Sequence, residues 1–322
     1  MGLGIRARSA RILAYIEPFK PLSKMIKLIP KIFAACAVLA TMSGCLRLDD
    51  NLYNPKKIDN YLLDAYTDER ECADLSASYN IPANLVEVFA LPVGSAGEKI
   101  YAIYIGDQTR IGQDTVFMYC HGNKWHMDTY WNRGKLLANV GSKNRFGVLM
   151  LDYRGYGKSE GKTTEAGMYE DVDACLSWLK MKGLTGDRLV MYGFSLGTAS
   201  ATELTANPRT LRPAKLILEA PFASAEVMVQ DASRLALPSS FFTNLKIDNA
   251  EEIKKVSQPF LWLHGEADDF LSVTTHGQVV SENYKGARQT VKRVANGGHS
   301  NVPTIMGYEN YSRMVLDFIT LP

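Results

Sequence analysis

Ser195 stands between Gly193 and Gly197 in LVMYGFSLGTASA, Leu189 to Ala201, after an apolar β-branched run and before a helix-forming one. A serine hydroxyl is a weak nucleophile until it is held clear of the backbone, beside a base and near amide donors. A sharp strand-to-helix turn supplies all three conditions. The two glycines fall where side chains would collide across such a turn. The pentapeptide reads equally well as an ordinary Gly-rich connection, so the partners decide. A base and its orienting acid should follow in the order Ser, Asp, His, each on a loop after a strand, and Asp268 and His299 satisfy that order.

The elements that must position them can be read outward from these three residues. Pro259 to Leu263 (PFLWL) is a compact apolar run of strand type, and HGEADDF follows it, so Asp268 falls in the turn at that strand's end. Gln289 to Val294 (QTVKRV) alternates as a strand does, and ANGGHSN then delivers His299 on a Gly-rich loop. Strand-end loops on one edge of a parallel sheet converge, so the three side chains should meet. Upstream, Val86 to Leu91 and Lys99 to Ile105, joined by VGSAGE, predict an antiparallel edge.

Between them and the turn that bears Ser195 the chain alternates: strand Val116 to Tyr119, helix near Tyr130 to Val140, strand Phe146 to Asp152, helix near Thr164 to Met181. Strand Leu189 to Tyr192 feeds that turn, helix Leu196 to Ala206 follows, and Lys215 to Glu219 is the next strand. This is the pattern of a doubly wound sheet buried on both faces. The long insertion at about 220–256 suits one or two short helices over the site, with Phe222, Met228, Leu235, Phe241 and Phe242 as candidate pocket lining or as ordinary packing.

With GFSLG, HGEAD and GGH stand FMYCHGN, Phe117 to Asn123, and LDYRGYGKSEG, Leu151 to Gly161. Together these resemble the α/β-hydrolase family from about Val86 to Leu321, and the HGN and DYRGYGKS pattern is similar to its lipase, esterase and serine-aminopeptidase-like branch. The resemblance implies an α/β fold with a mostly parallel eight-stranded sheet, helices on both faces and a small helical cap. It implies that Ser195 attacks a carbonyl carbon, His299 moves its proton, and Asp268 fixes the histidine tautomer and stabilises its cation. It also implies an oxyanion hole from the backbone N–H groups of Leu196 and Asn123; because backbone would supply that bond, replacing the Asn123 side chain should cost little.

Asp269 and Glu219 are the rival acids. His121 and His264 precede glycines at strand ends and read as structural, while His126 and His276 read as surface or rim residues. Asp152 and Arg154 read as loop-holding groups beside Gly155 and Gly157, rather than as a second acid site. Trp125 and Trp131 serve as an acyl-pocket wall or as core.

The 322 residues are 46% hydrophobic and 22% charged, enough for one substantial core. The N-terminus is different material. Lys24, Lys27 and Lys31 precede the short apolar run IFAACAVLA and then MSGC, which resembles a bacterial lipoprotein signal over residues 1–44, with Cys45 as the lipidated residue and Met25 as an alternative start. Residues 45–83 then read as a tether that packs loosely or as a short helix around Ile58 to Tyr66, ahead of a catalytic domain at 84–322. Removing residues 1–44 takes away seven basic residues and one acidic one, moving the formal charge from +2 to −4. An acidic chain argues against a nucleic-acid partner.

Cys72, Cys120 and Cys175 cannot all pair, and Cys120 and Cys175 read as small buried residues. No cluster has metal-ligand spacing, so neither metal nor other cofactor is expected. The expectation is therefore a serine hydrolase in the bacterial envelope, lipid-anchored on the periplasmic face with the outer membrane favoured, acting on lipid or acylated small-molecule esters. A peptidase or thioesterase with the same three residues, and a non-catalytic lipoprotein, are the alternatives.

Overall fold

The computed structural model describes residues 53–233 and 243–320. Cys45 and residues 1–44 lie outside them, as do Leu235, Phe241 and Phe242. Among the described residues the strands are β1 (Asn54–Pro55), β2 (Val86–Val93), β3 (Glu98–Ile105), β4 (Val116–Cys120), β5 (Lys124–Trp125), β6 (Gly147–Asp152), β7 (Leu189–Phe194), β8 (Lys215–Glu219), β9 (Phe260–Gly265) and β10 (Gln289–Val294). The α-helices are α1 (Met127–Ala138), α2 (Glu165–Met181), α3 (Gly197–Ala206), α4 (Ala225–Ser233), α5 (Asn249–Glu252), α6 (Gly277–Asn283), α7 (Val302–Met306) and α8 (Tyr308–Thr320).

The main sheet has eight strands in the order β10-β9-β8-β7-β4-β6-β3-β2. The run from β10 to β6 is parallel, and β3 and β2 add the antiparallel edge that the turn at VGSAGE predicts. Side-chain alternation divides each central strand between two cores. Val116, Met118 and Cys120 face a core completed by α2 and α3, whereas Phe117 and Tyr119 face one completed by α1 and α8. Both faces are thereby covered, which is why the central strands read as near-continuous apolar runs. At the end of the sheet, β10 keeps polar residues and is mostly exposed.

The insertion at 220–256 contributes α4 and α5, and Phe222 packs with Ala199, Ala225, Ile247 and Leu271 in a small separate cluster. Cys72, Cys120 and Cys175 are buried free thiols, as the sequence implies for the latter two. No helix among the described residues is long and apolar enough to cross a membrane.

The segment at 53–82 is not loosely attached. It forms 3-10 turns at Leu63–Ala65, where the sequence offers a short helix, and at Ala77–Tyr79, and Tyr66 and Cys72 are buried. Hydrogen bonds and apolar contacts both order it: the Leu62 and Leu63 amides donate to Asp128, Asp64 accepts from Trp131 and Lys135, and Tyr61, Leu63, Leu75, Tyr79 and Ile81 pack on the core beside α1 and α8. β1 pairs in parallel with β5 just after the HGN sequence.

Candidate active site

The turn between β7 and α3 places Ser195 at φ +50°, a left-handed conformation that a side-chain-bearing residue adopts only where its surroundings impose it. Here the surroundings are backbone. The Ser195 amide donates to Glu219 O at 3.0 Å, and its carbonyl accepts from the Thr198 amide at 3.0 Å and the Thr198 hydroxyl at 2.6 Å. A Cβ at Gly193 would lie 2.7 Å from Gly197 O, and one at Gly197 would collide with Cys120 O. The small neighbours of the serine are therefore a steric requirement of the turn.

After β9, Asp268 is held by its own loop: Oδ1 accepts from the Phe270 and Leu271 amides at 3.0 and 2.8 Å. That leaves Oδ2 for histidine. The loop after β10 is joined to the acid loop by Ala267 N–H to Gly297 O at 2.8 Å, and a Cβ on Gly265 would overlap that same carbonyl. This close approach carries His299 into place. Its Nδ1 lies 2.8 Å from Asp268 Oδ2 and its Nε2 lies 2.9 Å from Ser195 Oγ. With Nδ1 protonated, Nε2 is left to accept from the serine hydroxyl.

Asp268 has a second imidazole. His264 Nε2 is 3.1 Å from Asp268 Oδ2 and 2.9 Å from Leu271 O, and since both neighbours accept, Nε2 carries the proton. Burial alone would raise the Asp268 carboxyl, but the hydrogen bonds from His264 and His299 outweigh it and hold the group well below the usual carboxylate range. The carboxylate thus stays charged beside the imidazole it orients.

The rivals separate cleanly. Asp269 is exposed on the cavity wall. Glu219 is fully buried and bound elsewhere: Arg133 Nη1 donates to both of its oxygens at 2.9 and 2.7 Å, and the Tyr192 hydroxyl donates to it as well. Arg133 also reaches Glu71 through Nε at 2.7 Å and Ser300 O through Nη2 at 2.9 Å. Burial opposes the guanidinium charge, but Glu219 and Glu71 together raise its pKa well above the ordinary value. Arg133, Glu71 and Tyr192 escape a reading of the sequence because no local pattern links positions so far apart.

Two histidines read as surface or rim residues are buried. His126 is 0% exposed because it precedes α1 beneath the Tyr66 ring, 5.2 Å away, and the N-terminal segment covers it. His276 is 1% exposed: its Nδ1 accepts from the Ala223 amide at 3.3 Å and its Nε2 lies 3.3 Å from Asp231. His121 is structural, with Nδ1 2.7 Å from Gly122 O. Arg154 holds its loop through Asp171, Glu170 and Gly167 O, and Asp152 holds its own through Tyr61 and the Met127 amide. Trp131 belongs to the core and Trp125 to the cavity.

Ser195 and His299 open into a cavity of about 1520 Å³ that Leu196 and Asn123 also line. Leu196 precedes the first turn of α3, where helix-end amides lack intrahelical partners. One wall is apolar, from Phe222, Met228, Val229 and Leu271, and another is polar, from residues 69–74 with Asn301 and Thr304. Among the described residues no group of His, Cys, Asp and Glu side chains is arranged to hold a metal ion.

Known proteins agree with this architecture. Residues 113–258 match the family model described as serine aminopeptidase, S33. The alpha/beta hydrolase domain-containing protein 17B of Xenopus tropicalis is 26% identical over 210 residues, covering 64% of this chain and 66% of the relative, just under two thirds of its length. Among solved structures, an esterase of Pyrococcus furiosus superposes with a TM-score of 0.60 at 17% identity, covering 83% of this chain and 96% of that one. A bromoperoxidase of Bacillus anthracis gives 0.56 at 16% identity, covering 73% of this chain and all of its own. Neighbours named for such different activities establish the fold and leave the reaction to the site. The chain has the α/β-hydrolase fold.

Proposed function

We propose that this protein is a serine hydrolase that cleaves carboxylic esters through an acyl-enzyme. The observation that carries the proposal is the continuous path from Ser195 Oγ to His299 Nε2 at 2.9 Å and from His299 Nδ1 to Asp268 at 2.8 Å, open to one cavity. In the first half-reaction His299 takes the Ser195 proton as Oγ bonds to the carbonyl carbon. The resulting oxyanion is held by the amides of Leu196 and Asn123, each donor being worth about 3 kcal/mol in the transition state. His299 then protonates the departing alcohol. Water, deprotonated by the same imidazole, attacks the acyl-serine, and the carboxylic acid leaves as the proton returns to Ser195.

Lipid or acylated small-molecule esters are the proposed substrates. The cavity, at about 1520 Å³, exceeds what a short acyl group fills. Its Phe222, Met228, Val229 and Leu271 wall suits the acyl chain, and its polar wall beside His299 suits the alcohol. The match to a serine aminopeptidase model favours a second reading, amide cleavage by the same three groups.

The test is burst-resolved hydrolysis of p-nitrophenyl esters from short to long acyl chains, beside the matching p-nitroanilides, with Ser195→Ala as control. An ester burst equal to the enzyme concentration that vanishes in the variant is the expected result. Turnover of anilides alone would replace the ester reading with the peptidase one. No burst, and no labelling of Ser195 by a fluorophosphonate, would leave a binding protein. Attachment to an envelope membrane through Cys45 is proposed from the sequence pattern at 24–45 alone, and mass analysis of the mature N-terminal peptide for a diacylglyceryl group tests it.

A further inference from the structure

The DYRGYGKSEG sequence holds none of the three reacting groups, yet three of its side chains close on the loop between β4 and α1. Asp152 Oδ1 accepts from the Met127 amide at 2.8 Å, where α1 begins. The Tyr153 hydroxyl donates to His121 O at 3.1 Å, where β4 has just ended. Between these two points the Tyr156 hydroxyl is shared between Asn123 O at 2.9 Å and Asn123 Oδ1 at 2.8 Å. The same Oδ1 accepts from the Asn54 amide at 2.8 Å, which fixes the orientation of the carboxamide. Asp152, Tyr153 and Tyr156 are all fully buried.

This loop needs holding. Trp125, two residues beyond Asn123, sits at φ +70°, which is strained for a bulky side chain and persists only where neighbours over-determine it. The motif that grips it is itself folded back tightly: Gly155 and Gly157 have φ of +90° and +50°, and a Cβ on Gly157 would run into the Asp152 carboxylate. Donors in an oxyanion hole act only when aimed at the place where charge will develop, so a loop amide contributes only as well as its loop is fixed.

We propose that Tyr156 is a positioning residue for the reaction: its hydroxyl locks Asn123 so that the Asn123 amide points into the oxyanion hole. This rests on the acyl-enzyme reading above. It also reassigns the Asn123 side chain, which sequence alone marks as expendable. The carboxamide is the joint through which Tyr156 and Asn54 hold the donor.

Tyr156→Phe in the full chain is the test, because it keeps the ring against His121 and Tyr153 and removes only the hydroxyl. Steady-state and burst kinetics on p-nitrophenyl butyrate are read beside inhibition by an alkyl boronic acid, whose adduct with Ser195 places an oxygen in the oxyanion hole. The expected result is a fall in kcat of roughly 10- to 100-fold with KM within about twofold, and a boronate Ki raised by a similar factor. Asn123→Ala, which removes the acceptor of two bonds and keeps the amide, should move the same quantities the same way, and it carries the test if Tyr156→Phe does not fold. A soluble variant with unchanged kcat, or with lowered kcat and unchanged boronate affinity, would overturn the assignment. A wild-type protein that gives no ester burst would overturn the underlying reading, and the role of Tyr156 with it.

Discussion

Arg133 binds both carboxylate oxygens of Glu219 through one nitrogen, with both side chains essentially excluded from solvent. Glu219 is the residue whose carbonyl pins the serine turn, and Arg133 also holds the carbonyl of Ser300, next to the histidine. One buried cation therefore ties the turn of Ser195 to the loop of His299 without a hydrogen bond to either side chain. Removing one member of a buried ion pair leaves the other charge uncompensated. Arg133→Met should cost about 3–5 kcal/mol in urea unfolding, and Arg133→Met with Glu219→Gln distinctly less than the sum of the two single changes.

The acid assignment gives a sharp contrast between two isosteric changes. Asp268→Asn should lower kcat by roughly 10⁴-fold, because the amide favours the wrong histidine tautomer. Glu219→Gln should leave kcat per folded molecule within about tenfold, since Glu219 makes no bond to His299. Active-site titration beside the rate measurement separates lost protein from lost chemistry, and the reverse order of effects would move the acid to Glu219.

The depressed Asp268 carboxyl also predicts how stability depends on pH. A carboxyl with a lower pKa folded than unfolded binds fewer protons in the native state, so its contribution is complete above the ordinary carboxylate range. That contribution fades as pH falls below the unfolded value of about 4 toward the depressed folded one. Wild type and Asp268→Asn should therefore differ in unfolding free energy by a constant amount from pH 7 to 5, and the gap should close toward pH 2. Denaturant unfolding at four pH values measures it.

Thiol chemistry distinguishes the proposed nucleophile from a cysteine. Burial pushes the Cys72 thiol up to about 12 and raises those of Cys120 and Cys175 as well. Iodoacetamide at pH 8 should leave ester turnover and the thiols of Cys72, Cys120 and Cys175 untouched, whereas a fluorophosphonate should abolish turnover with one label on Ser195. Peptide mass mapping reads both results.

Much of this architecture is legible in the sequence because it is written locally. Buried parallel strands announce themselves as apolar runs, and the loops that bear Ser195, Asp268 and His299 follow those runs directly. The failures share a cause. His126 and His276 look like loop residues because nothing beside them in the chain buries them; Tyr66 and Ala223 do so across the fold. Glu71, Arg133 and Glu219 are 62 and 86 residues apart in the chain, and Tyr156 is 33 from Asn123, so charge complementarity and a hydroxyl's reach become visible only once the chain has folded. The segment before Ala83 misleads most. Its polar composition reads as slack, and its order comes from scattered hydrogen bonds and apolar contacts with no sequence periodicity.

The composition break near residue 84 invites shortening the protein to begin just before β2, where the recognisable pattern starts. Such a trimmed chain would retain every strand of the main sheet together with Ser195, Asp268 and His299. It would lose Asn54 from Asn123, the Leu62 and Leu63 amides from Asp128, Glu71 from Arg133, and with them residues 69–74 of the cavity's polar wall. The packed domain thus reaches back at least to residue 53, and a boundary drawn from composition would cut through it, leaving the buried Lys135 ammonium without Asp64 and the cavity without part of its rim.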